Sequence, residues 1–357
     1  MHYPVNLAAP IYDIQLSYLE NAEKGPFFYE NPPTRTFAPR SQWIKLCGQL
    51  LASPIGIPAG PLLNSRWTAF AARFGYDIVT YKTIRSAAYA GHPVPNVIYV
   101  EWDHPPHTGS EVFQSNGVPN SIERLGVTNS FGMPSRTPEY LKIDIQKANK
   151  ELRTGQLLIV SIVGTPAPGI DLKTDFVRTA QLAKYCGATV IEANFSCPNV
   201  CSAEGTLYTD PKNAYEVAAA LVKAVNPTPL IIKVGVFPSP KLLQDVLKQF
   251  AHAGVKAVCG INSVSMKVLK RDGSPALGPQ RTTSGICGAP ILQDALEFVQ
   301  QARTIIDREH LELELLGCGG ITEPEHFDAF LNAGAQAALT ATGMMWDPYL
   351  AYRWRNL

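Results

Sequence analysis

The segment Asn194-Phe195-Ser196-Cys197-Pro198-Asn199 holds the side chains of this sequence that are best suited to chemistry. A cysteine thiolate can take a proton from an sp3 carbon, and a thiol can give one to a developing carbanion. Side-chain amides offer a donor and an acceptor together, which suits a planar ring with alternating carbonyl and N–H groups. On residue chemistry alone, Cys197 fits a buried loop cysteine equally well, and each asparagine fits a turn or cap.

Two lysines lie inside apolar runs, where a charged group needs a partner or a site. Lys233 occurs in Ile231-Ile232-Lys233-Val234-Gly235, and Lys82 occurs in Thr80-Tyr81-Lys82-Thr83. Lys233 could stabilise negative charge on a reduced flavin, form a Schiff base with a carbonyl substrate, or belong to a structural ion pair. Two lysines facing one bowl favour an anionic cofactor over a single amine of depressed pKa.

Two glycine-containing segments near the end of the sequence fit a phosphate site. Gly319-Gly320-Ile321-Thr322 precedes a helical pattern, and Thr342-Gly343 belongs to the following apolar run. Glycines let backbone N–H groups approach phosphate oxygens, and a helix N-terminus adds a favourable dipole. Ordinary turn glycines are the alternative for either segment alone. Together they indicate a phosphorylated ligand or cofactor, but not which one.

Eight short apolar runs have the pattern of strands buried on both faces. Helical patterns, with apolar residues three and four apart, follow most of them. This alternation predicts an α/β chain folded as a (β/α)8 TIM barrel, with a doubly wound open sheet as the structural competitor. The predicted strands are Pro54–Gly60, Asp77–Thr83, Leu157–Gly164, Thr189–Ser196, Pro229–Val236, Ala257–Val264, Leu313–Gly320 and Ala337–Met345. The predicted helices are Ser65–Phe74, Asp171–Cys186, Asn213–Val225, Lys241–Ala253, Ile291–Ile306 and Pro324–Gly334.

Active sites of such barrels lie at the C-terminal ends of the strands, and the polar residues of this sequence cluster there. The two glycine-containing segments accompany the seventh and eighth strands, which is the usual location of a barrel phosphate site. The other strand ends carry Lys82, Asn194 to Cys197, Lys233, and Asn262-Ser263. In this arrangement Asn129, Asn194, Asn199 and Asn262 would meet in one bowl.

The chain as a whole, residues 1–357, is expected to form a single barrel domain with two additions. Residues 1–50 are rich in Pro and aromatic residues without a sustained period, so they predict an irregular N-terminal arm. Residues 84–140 hold many prolines between the second and third strands. They predict a β-rich insertion over the active site, because long loops of this sort usually carry function.

Composition disfavours several classes of protein. The formal net charge of +1, from 31 basic and 30 acidic residues, gives no support for binding nucleic acid or an anionic membrane surface. Membrane spans and a secretory signal are not expected from the apolar runs or from the first residues. Seven scattered cysteines without a C-x-x-C pair argue against a zinc site or an iron–sulfur cluster. They fit a reducing, cytoplasmic compartment.

The segment from Glu192 to Asn199 resembles the signature loop of dihydroorotate dehydrogenases and of the related domain of dihydropyrimidine dehydrogenase. Further segments match in the same order, over roughly residues 50–350. They are Ile55-Gly56-Ile57-Pro58-Ala59-Gly60, Tyr81-Lys82-Thr83, Asn129-Ser130-Phe131-Gly132-Met133-Pro134, Ile232-Lys233-Val234, Gly260-Ile261-Asn262-Ser263, Ser284-Gly285-Ile286-Cys287-Gly288, Gly319-Gly320-Ile321 and Thr342-Gly343.

This resemblance implies FMN as the cofactor and a small pyrimidine as the substrate. Cys197 would be the catalytic base, as in the soluble class of the family, whereas the membrane-bound, quinone-using class has serine there. Lys233 would stabilise the reduced flavin. The residues implied at the flavin are Ala59, Gly60, Lys82, Asn129, Asn194, Lys233, Gly288, Gly319, Gly320, Thr342 and Gly343. Those implied at the substrate are Lys82, Asn129, Gly132, Met133, Asn194, Asn199, Asn262 and Ser263.

The implied reaction converts dihydroorotate to orotate in pyrimidine biosynthesis. Cys197 would remove a proton from C5 while a hydride leaves C6 for flavin N5. The sequence departs from the family at Ser135, where asparagine is usual, and at Tyr81, where a small residue is usual. A flavin-dependent dehydrogenase or reductase of another pyrimidine or cyclic amide is therefore the alternative within the same chemistry.

Two further classes of function compete with this interpretation. One is a barrel lyase or aldolase that uses Lys233 as a Schiff-base amine, and the other is a ligand-binding or regulatory protein without turnover. The sequence does not reveal the electron acceptor: fumarate, NAD through a partner subunit, and another oxidant all fit. A homodimer is an expectation from the family.

Overall fold

Parallel strands surrounded by helices form the centre of the computed structural model, which describes residues 5–35, 37–196 and 206–356. Its strands are β1 (Ile44–Leu46), β2 (Gln49–Leu51), β3 (Ile55–Ile57), β4 (Ile78–Ile84), β5 (Val100–Glu101), β6 (Glu111–Gln114), β7 (Gly126–Asn129), β8 (Leu157–Ile162), β9 (Val190–Asn194), β10 (Leu230–Lys233), β11 (Ala257–Gly260), β12 (Val264–Leu269), β13 (Thr283–Gly288), β14 (Glu314–Cys318) and β15 (Ala337–Leu339). Its helices are α1 (Tyr18–Lys24), α2 (Ser65–Arg73), α3 (Pro138–Glu151), α4 (Leu172–Tyr185), α5 (Pro211–Val225), α6 (Pro240–His252), α7 (Leu292–Arg308), α8 (Pro324–Asn332), α9 (Thr342–Trp346) and α10 (Leu350–Arg355).

A closed barrel confirms the predicted fold class and excludes the open sheet. The strand order around the barrel is β3, β4, β8, β9, β10, β11, β14 and β15, and β15 pairs with β3 to close it. Every neighbouring pair is parallel. All eight predicted strands are present, and a helix occupies each of the six segments predicted to be helical.

The helices begin where local sequence signals place them. The side chains of Asp171, Asp210 and Ser239 accept hydrogen bonds from backbone N–H groups in the first turns of α4, α5 and α6. Proline occupies the first helical position of α5 and α6, where its missing N–H costs nothing. These caps make the strand-to-helix alternation readable from the sequence.

Apolar side chains fill the barrel near the amino ends of its strands. We call this set the lower layer. The antiparallel hairpin β1–β2 covers it with Leu46, Cys47 and Leu51. The lower layer consists of Ile78, Leu157, Ile159, Val190, Ile231, Ala257, Leu316, Ala337 and Leu339, all buried. It gives the barrel a dry core at the end opposite the predicted site.

A five-stranded sheet of β5, β6, β12, β13 and β7 stands apart from the barrel strands. Strands β5 to β7 come from the predicted insertion, which ends where α3 begins at Pro138. Strands β12 and β13 come from a second insertion, between β11 and β14, that the sequence analysis did not predict. The sixth predicted strand therefore ends at Gly260 rather than Val264. Apolar residues on both sides of Asn262-Ser263 had been taken for one strand, although they belong to β11 and to the start of β12.

Two further expectations need correction. The N-terminal arm is not wholly irregular, because it contains α1 and the hairpin β1–β2. The eighth predicted strand, Ala337–Met345, is a strand only to Leu339, and Thr342–Trp346 is helical. Short apolar segments of helix and strand cannot be separated by periodicity, which explains the second error.

In the part of the chain that the structure describes, no helix has both the length and the apolar character needed to cross a membrane.

Candidate active site

Two adjoining cavities lie at the C-terminal ends of the barrel strands. The first comprises about 800 Å³ and the second about 470 Å³ of space, which in both includes the part open to solvent. Concave sites at this end of a barrel are where small molecules commonly bind. The residues that line both are Ala59, Gly60, Asn129, Phe131, Lys233 and Asn262. Because they share so much of their walls, we treat the two cavities as one site with two compartments.

The first cavity brings together most of the residues predicted at the flavin. They are Ala59, Gly60, Asn129, Lys233, Gly288, Gly319, Gly320 and Thr342. Lys82 and Asn194, also predicted there, line the second cavity. Gly343 lines neither; a Cβ at this position would stand 2.4 Å from the Ile321 carbonyl oxygen, so glycine there allows α9 to pack closely.

The second cavity gathers most of the residues predicted at the substrate. They are Lys82, Asn129, Gly132, Met133, Asn194 and Asn262. Ser263 lines the first cavity instead. Cys197 and Asn199 lie outside the described residues, so their predicted roles stay predictions.

Hydrogen bonds tie the amides of the site to each other. Asn262 donates from Nδ2 to Oδ1 of Asn194 over 3.2 Å and also to the Ser196 carbonyl oxygen. The Ser196 backbone N–H donates to Asn194 Oδ1 over 3.1 Å. Asn194 is buried at the end of β9, and Asn262 follows β11. The predicted convergence of these two asparagines is therefore confirmed, and their amide planes are held in fixed orientations.

The glycines of the first cavity occupy backbone conformations that a side chain would obstruct. Gly288 and Gly320 have φ of +87° and +77°, and a Cβ on them would stand 2.2 Å from the Leu125 carbonyl oxygen and 2.3 Å from Leu292 Cα. Gly60 has φ +146° and no atom within 4 Å of its Cβ position, so glycine keeps that space open. Glycine-rich loops at this end of a barrel suit a phosphate group.

Charged groups form the floor of the site. Lys82 and Lys233 are 5% and 3% exposed, and Glu192 on β9 is 1% exposed. Burial raises the pKa of the Glu192 carboxyl above its usual value, whereas Lys233 acts to lower it. Burial alone would lower the pKa of Lys233, but Cys259, Cys318 and Glu192 raise it above its ordinary value, so Lys233 is an ammonium.

Several cavity residues were missed by the sequence reasoning. Glu192 is a charged residue in an apolar strand, which is the same signal that singled out Lys233, and it is the first residue of the segment that resembles the signature loop. Tyr12 and Trp346 line the first cavity from the N-terminal arm and from α9. The Tyr12 ring packs edge-on against Phe131, with centroids 5.5 Å apart. The aromatic content of the arm was the available signal for Tyr12.

The two departures from the family pattern lie outside both cavities. The Ser135 hydroxyl accepts the Arg85 backbone N–H over 3.0 Å and donates to the Arg136 carbonyl oxygen over 3.3 Å. Tyr81 donates from its hydroxyl to Asp144 of α3 over 2.6 Å, away from the barrel axis. Neither side chain contributes to the walls of the site.

Comparison with known proteins identifies the class of this barrel. The family model described as Dihydroorotate dehydrogenase matches residues 43–353. The chain belongs to the dihydroorotate dehydrogenase family, whose members are flavin-dependent oxidoreductases that act on a CH–CH bond. The resemblance inferred from the motifs is thereby confirmed.

Individual relatives agree with this assignment. A dihydroorotate dehydrogenase of Dictyostelium discoideum is 47% identical over 367 residues, which cover all of this chain and 99% of the relative. The catalytic subunit of dihydroorotate dehydrogenase B (NAD(+)) of Methanopyrus kandleri is 25% identical over 84% of each chain. The NAD-dependent dihydropyrimidine dehydrogenase subunit PreA of Escherichia coli is 26% identical over 85% of this chain and 68% of its own.

Proposed function

We propose that this protein oxidises dihydroorotate to orotate with FMN as its cofactor. The observation that carries the proposal is the pair of joined cavities with the Lys233 ammonium in their common wall. One compartment has the size and glycine lining for a nucleotide-like group, and the other has the amides for a small cyclic imide. The full-length relative at 47% identity bears the name of the same activity.

The residues present fit FMN. Gly288, Gly319, Gly320 and Thr342 would hold the phosphate end, since their loops meet beside the N-terminus of α9. The walls formed by Pro58, Leu63, Phe131 and Trp346 suit a flat apolar ring, and Lys233 adds a positive charge in the wall that the two cavities share. The chemistry supplied by bound FMN is acceptance of a hydride from the substrate.

The protein's own part is orientation and charge. Asn194 and Asn262, fixed by their mutual hydrogen bond, would align the imide groups of the substrate. Lys233, whose side chain is buried, would place a positive charge where negative charge develops. Cys197 would hold the proton removed from C5 of the substrate.

A Schiff-base role for Lys233 has less support. That reaction needs a neutral amine, usually obtained by lowering the pKa of the lysine. Here Cys259, Cys318 and Glu192 outweigh burial and raise the pKa of Lys233. The lyase or aldolase alternative therefore requires an amine state that this environment disfavours.

Anaerobic reduction tests the proposal. Dihydroorotate added to the purified yellow protein should bleach the flavin absorbance, whereas dihydrouracil, which lacks the carboxylate, should bleach it much more slowly. An unbleached spectrum with dihydroorotate would refute the substrate assignment. Faster bleaching with dihydrouracil would favour the alternative activity on another pyrimidine.

A further inference from the structure

Glu192 is a buried carboxylate that has no part in the function proposed above. It lies on β9 two residues before Asn194, and both side chains therefore point into the barrel. Glu192 lines the second cavity, and its Oε1 atom has no hydrogen-bond partner among the described residues. A carboxylate left so incompletely satisfied is costly, so its electrostatic surroundings decide what it can do.

Polar groups from several neighbouring strands face Glu192. Ser161 pairs with it in register from β8, and the Ser161 and Cys259 side chains lie beside it and lower its pKa. Lys233 on β10 donates from Nζ to Sγ of Cys259 over 3.4 Å, and Cys318 lies beside the same ammonium. Thiols are weak acceptors. The groups in direct contact with the Lys233 ammonium are therefore weak hydrogen-bond acceptors, and the group of opposite charge that acts on it is the Glu192 carboxylate.

Three side chains of the described residues set the charge of the site: Glu192, Lys233 and Lys82. Among the described residues that line the cavities, the formally charged side chains are Lys82, Glu192 and Lys233. Glu192 and Lys233 attract each other through the barrel interior: Lys233 acts to lower the pKa of Glu192, which burial holds above its usual value, and Glu192 acts to raise the pKa of Lys233. Because the effective dielectric constant is low there, the Glu192 carboxylate in the same cavity wall as Lys233 reduces the positive potential in the cavity.

We propose that Glu192 is a positioning residue that acts through Lys233 to set how much more tightly the site binds reduced FMN than oxidised FMN. This inference rests on the proposed FMN site. Glu192 reduces the positive potential that Lys233 places at the flavin. The bound flavin therefore accepts electrons from the substrate and can still pass them to the electron acceptor that reoxidises it. The reduction potential of the bound flavin is then lower than Lys233 alone would make it.

The isosteric variant Glu192→Gln tests the sign of the effect. We expect the preference for reduced over oxidised FMN to increase about tenfold, which a two-electron couple registers as a potential about 30 mV more positive. The potential is measured by equilibrium reduction against a reference dye. A potential equal to or below that of the wild type would overturn the proposal, because a purely structural role would weaken both forms of FMN alike.

A second background tests whether Glu192 acts through Lys233. Without the lysine, Glu192 loses the positive charge that acts to lower its pKa, so burial should raise that pKa further and weaken the negative charge of the carboxyl. In a Lys233→Gln protein, Glu192→Gln should therefore shift the potential much less than it does in the wild type. Equal shifts in both backgrounds would refute the coupling.

Glu314→Gln is the matched control. Glu314 begins β14 at the opposite end of the barrel, where it accepts the Cys47 backbone N–H. Its variant should have the wild-type potential, and a shift equal to that of Glu192→Gln would overturn the proposal. If a variant loses FMN on purification, titrating the apoprotein with oxidised and with reduced FMN gives the same ratio.

The same measurements separate this inference from the proposed function. A wild-type protein that binds FMN but is not bleached by dihydroorotate would refute the substrate, while the potentials would still test Glu192. A wild-type apoprotein that binds neither form of FMN would refute both.

Discussion

The two ends of the barrel interior use the same strands for opposite purposes. Val190 of β9 belongs to the apolar lower layer, while Glu192 and Asn194, further along the same strand, line the second cavity. Ile231 and Lys233 divide β10 in the same way. The hairpin β1–β2 closes the lower end, whereas the upper end opens into the cavities.

This difference shows how a barrel can hold charges in its interior. Inward positions near the strand starts pack against each other without polar groups, so they contribute stability from apolar burial. Inward positions near the strand ends accept buried lysines and a carboxylate, which costs stability unless the groups interact. Substitutions at the lower end should therefore change stability, and those at the upper end should change chemistry.

The largest effect is expected from Cys197→Ala, since Cys197 is the predicted catalytic base. Loss of a general base should slow flavin reduction by dihydroorotate about 10²–10⁴-fold, with FMN still bound. Stopped-flow absorbance under anaerobic conditions measures the rate. Cys186→Ala, at the C-terminus of α4, is the control and should reduce at the wild-type rate. A Cys197→Ala protein that is also reduced at that rate would remove Cys197 from the mechanism.

At the lower end, Ile159→Ala should cost stability instead. Ile159 is fully buried, and large-to-small core substitutions of this kind cost about 2–5 kcal/mol in the free energy of unfolding. Urea unfolding measures the loss, and Ile143→Ala, at an exposed position of α3, provides the comparison, with a change within about 0.5 kcal/mol. The separation of roles would break down if folded Ile159→Ala had an altered flavin potential.

Lys233→Ala should weaken the binding of FMN, with a change in free energy smaller than the effects of the two preceding substitutions. We expect the Kd for FMN to rise about tenfold, or about 1.4 kcal/mol, because a buried positive charge near the flavin is lost. The FMN-to-protein ratio after gel filtration is the measurement. Lys256→Ala is the matched control, since Lys256 precedes β11 at the lower end and pairs with Glu314. Equal FMN loss from both variants would contradict a local role.

The smallest effect is expected from Ser135→Ala, because Ser135 belongs neither to the lower layer nor to the cavity walls. Losing the acceptor of the Arg85 backbone N–H should cost about 1 kcal/mol of stability. The KM for dihydroorotate should not change, because Ser135 does not line the cavities. Met133→Ala, which does alter the wall of the second cavity, should raise the KM. A raised KM in Ser135→Ala would show that this departure reaches the substrate.

The barrel was predictable because each of its strands is a short apolar run followed by a capped helix. The second insertion was not, because one strand was predicted from Ala257 to Val264 across the polar pair Asn262-Ser263, although the chain leaves the barrel after Gly260. Burial on both faces removes the alternation that marks a strand boundary. The helix that begins at Thr342 was mistaken for strand because a short apolar segment shows no periodicity that separates helix from strand.

Within the site, residues at strand ends were predictable and residues from distant segments were not. Lys233 and Asn194 stand out as polar side chains that end apolar runs. Tyr12 reaches the first cavity from more than forty residues before β3, and no local pattern predicts that contact. Ser135 and Tyr81 appeared to alter the substrate end, yet their side chains point elsewhere, because sequence position does not specify side-chain direction.

The N-terminal arm gives the site a constraint in time. The Leu7 carbonyl oxygen accepts hydrogen bonds from Tyr99 over 2.8 Å and from Trp346 over 3.1 Å, and the Ile11 backbone N–H donates to the Met345 carbonyl oxygen over 2.8 Å. Two segments that lie more than 300 residues apart in this sequence thus meet at the first cavity, which Tyr12 and Trp346 both line. A nascent chain still on the ribosome without α9 lacks that wall, so the cofactor can be enclosed only after nearly all of this sequence has been translated.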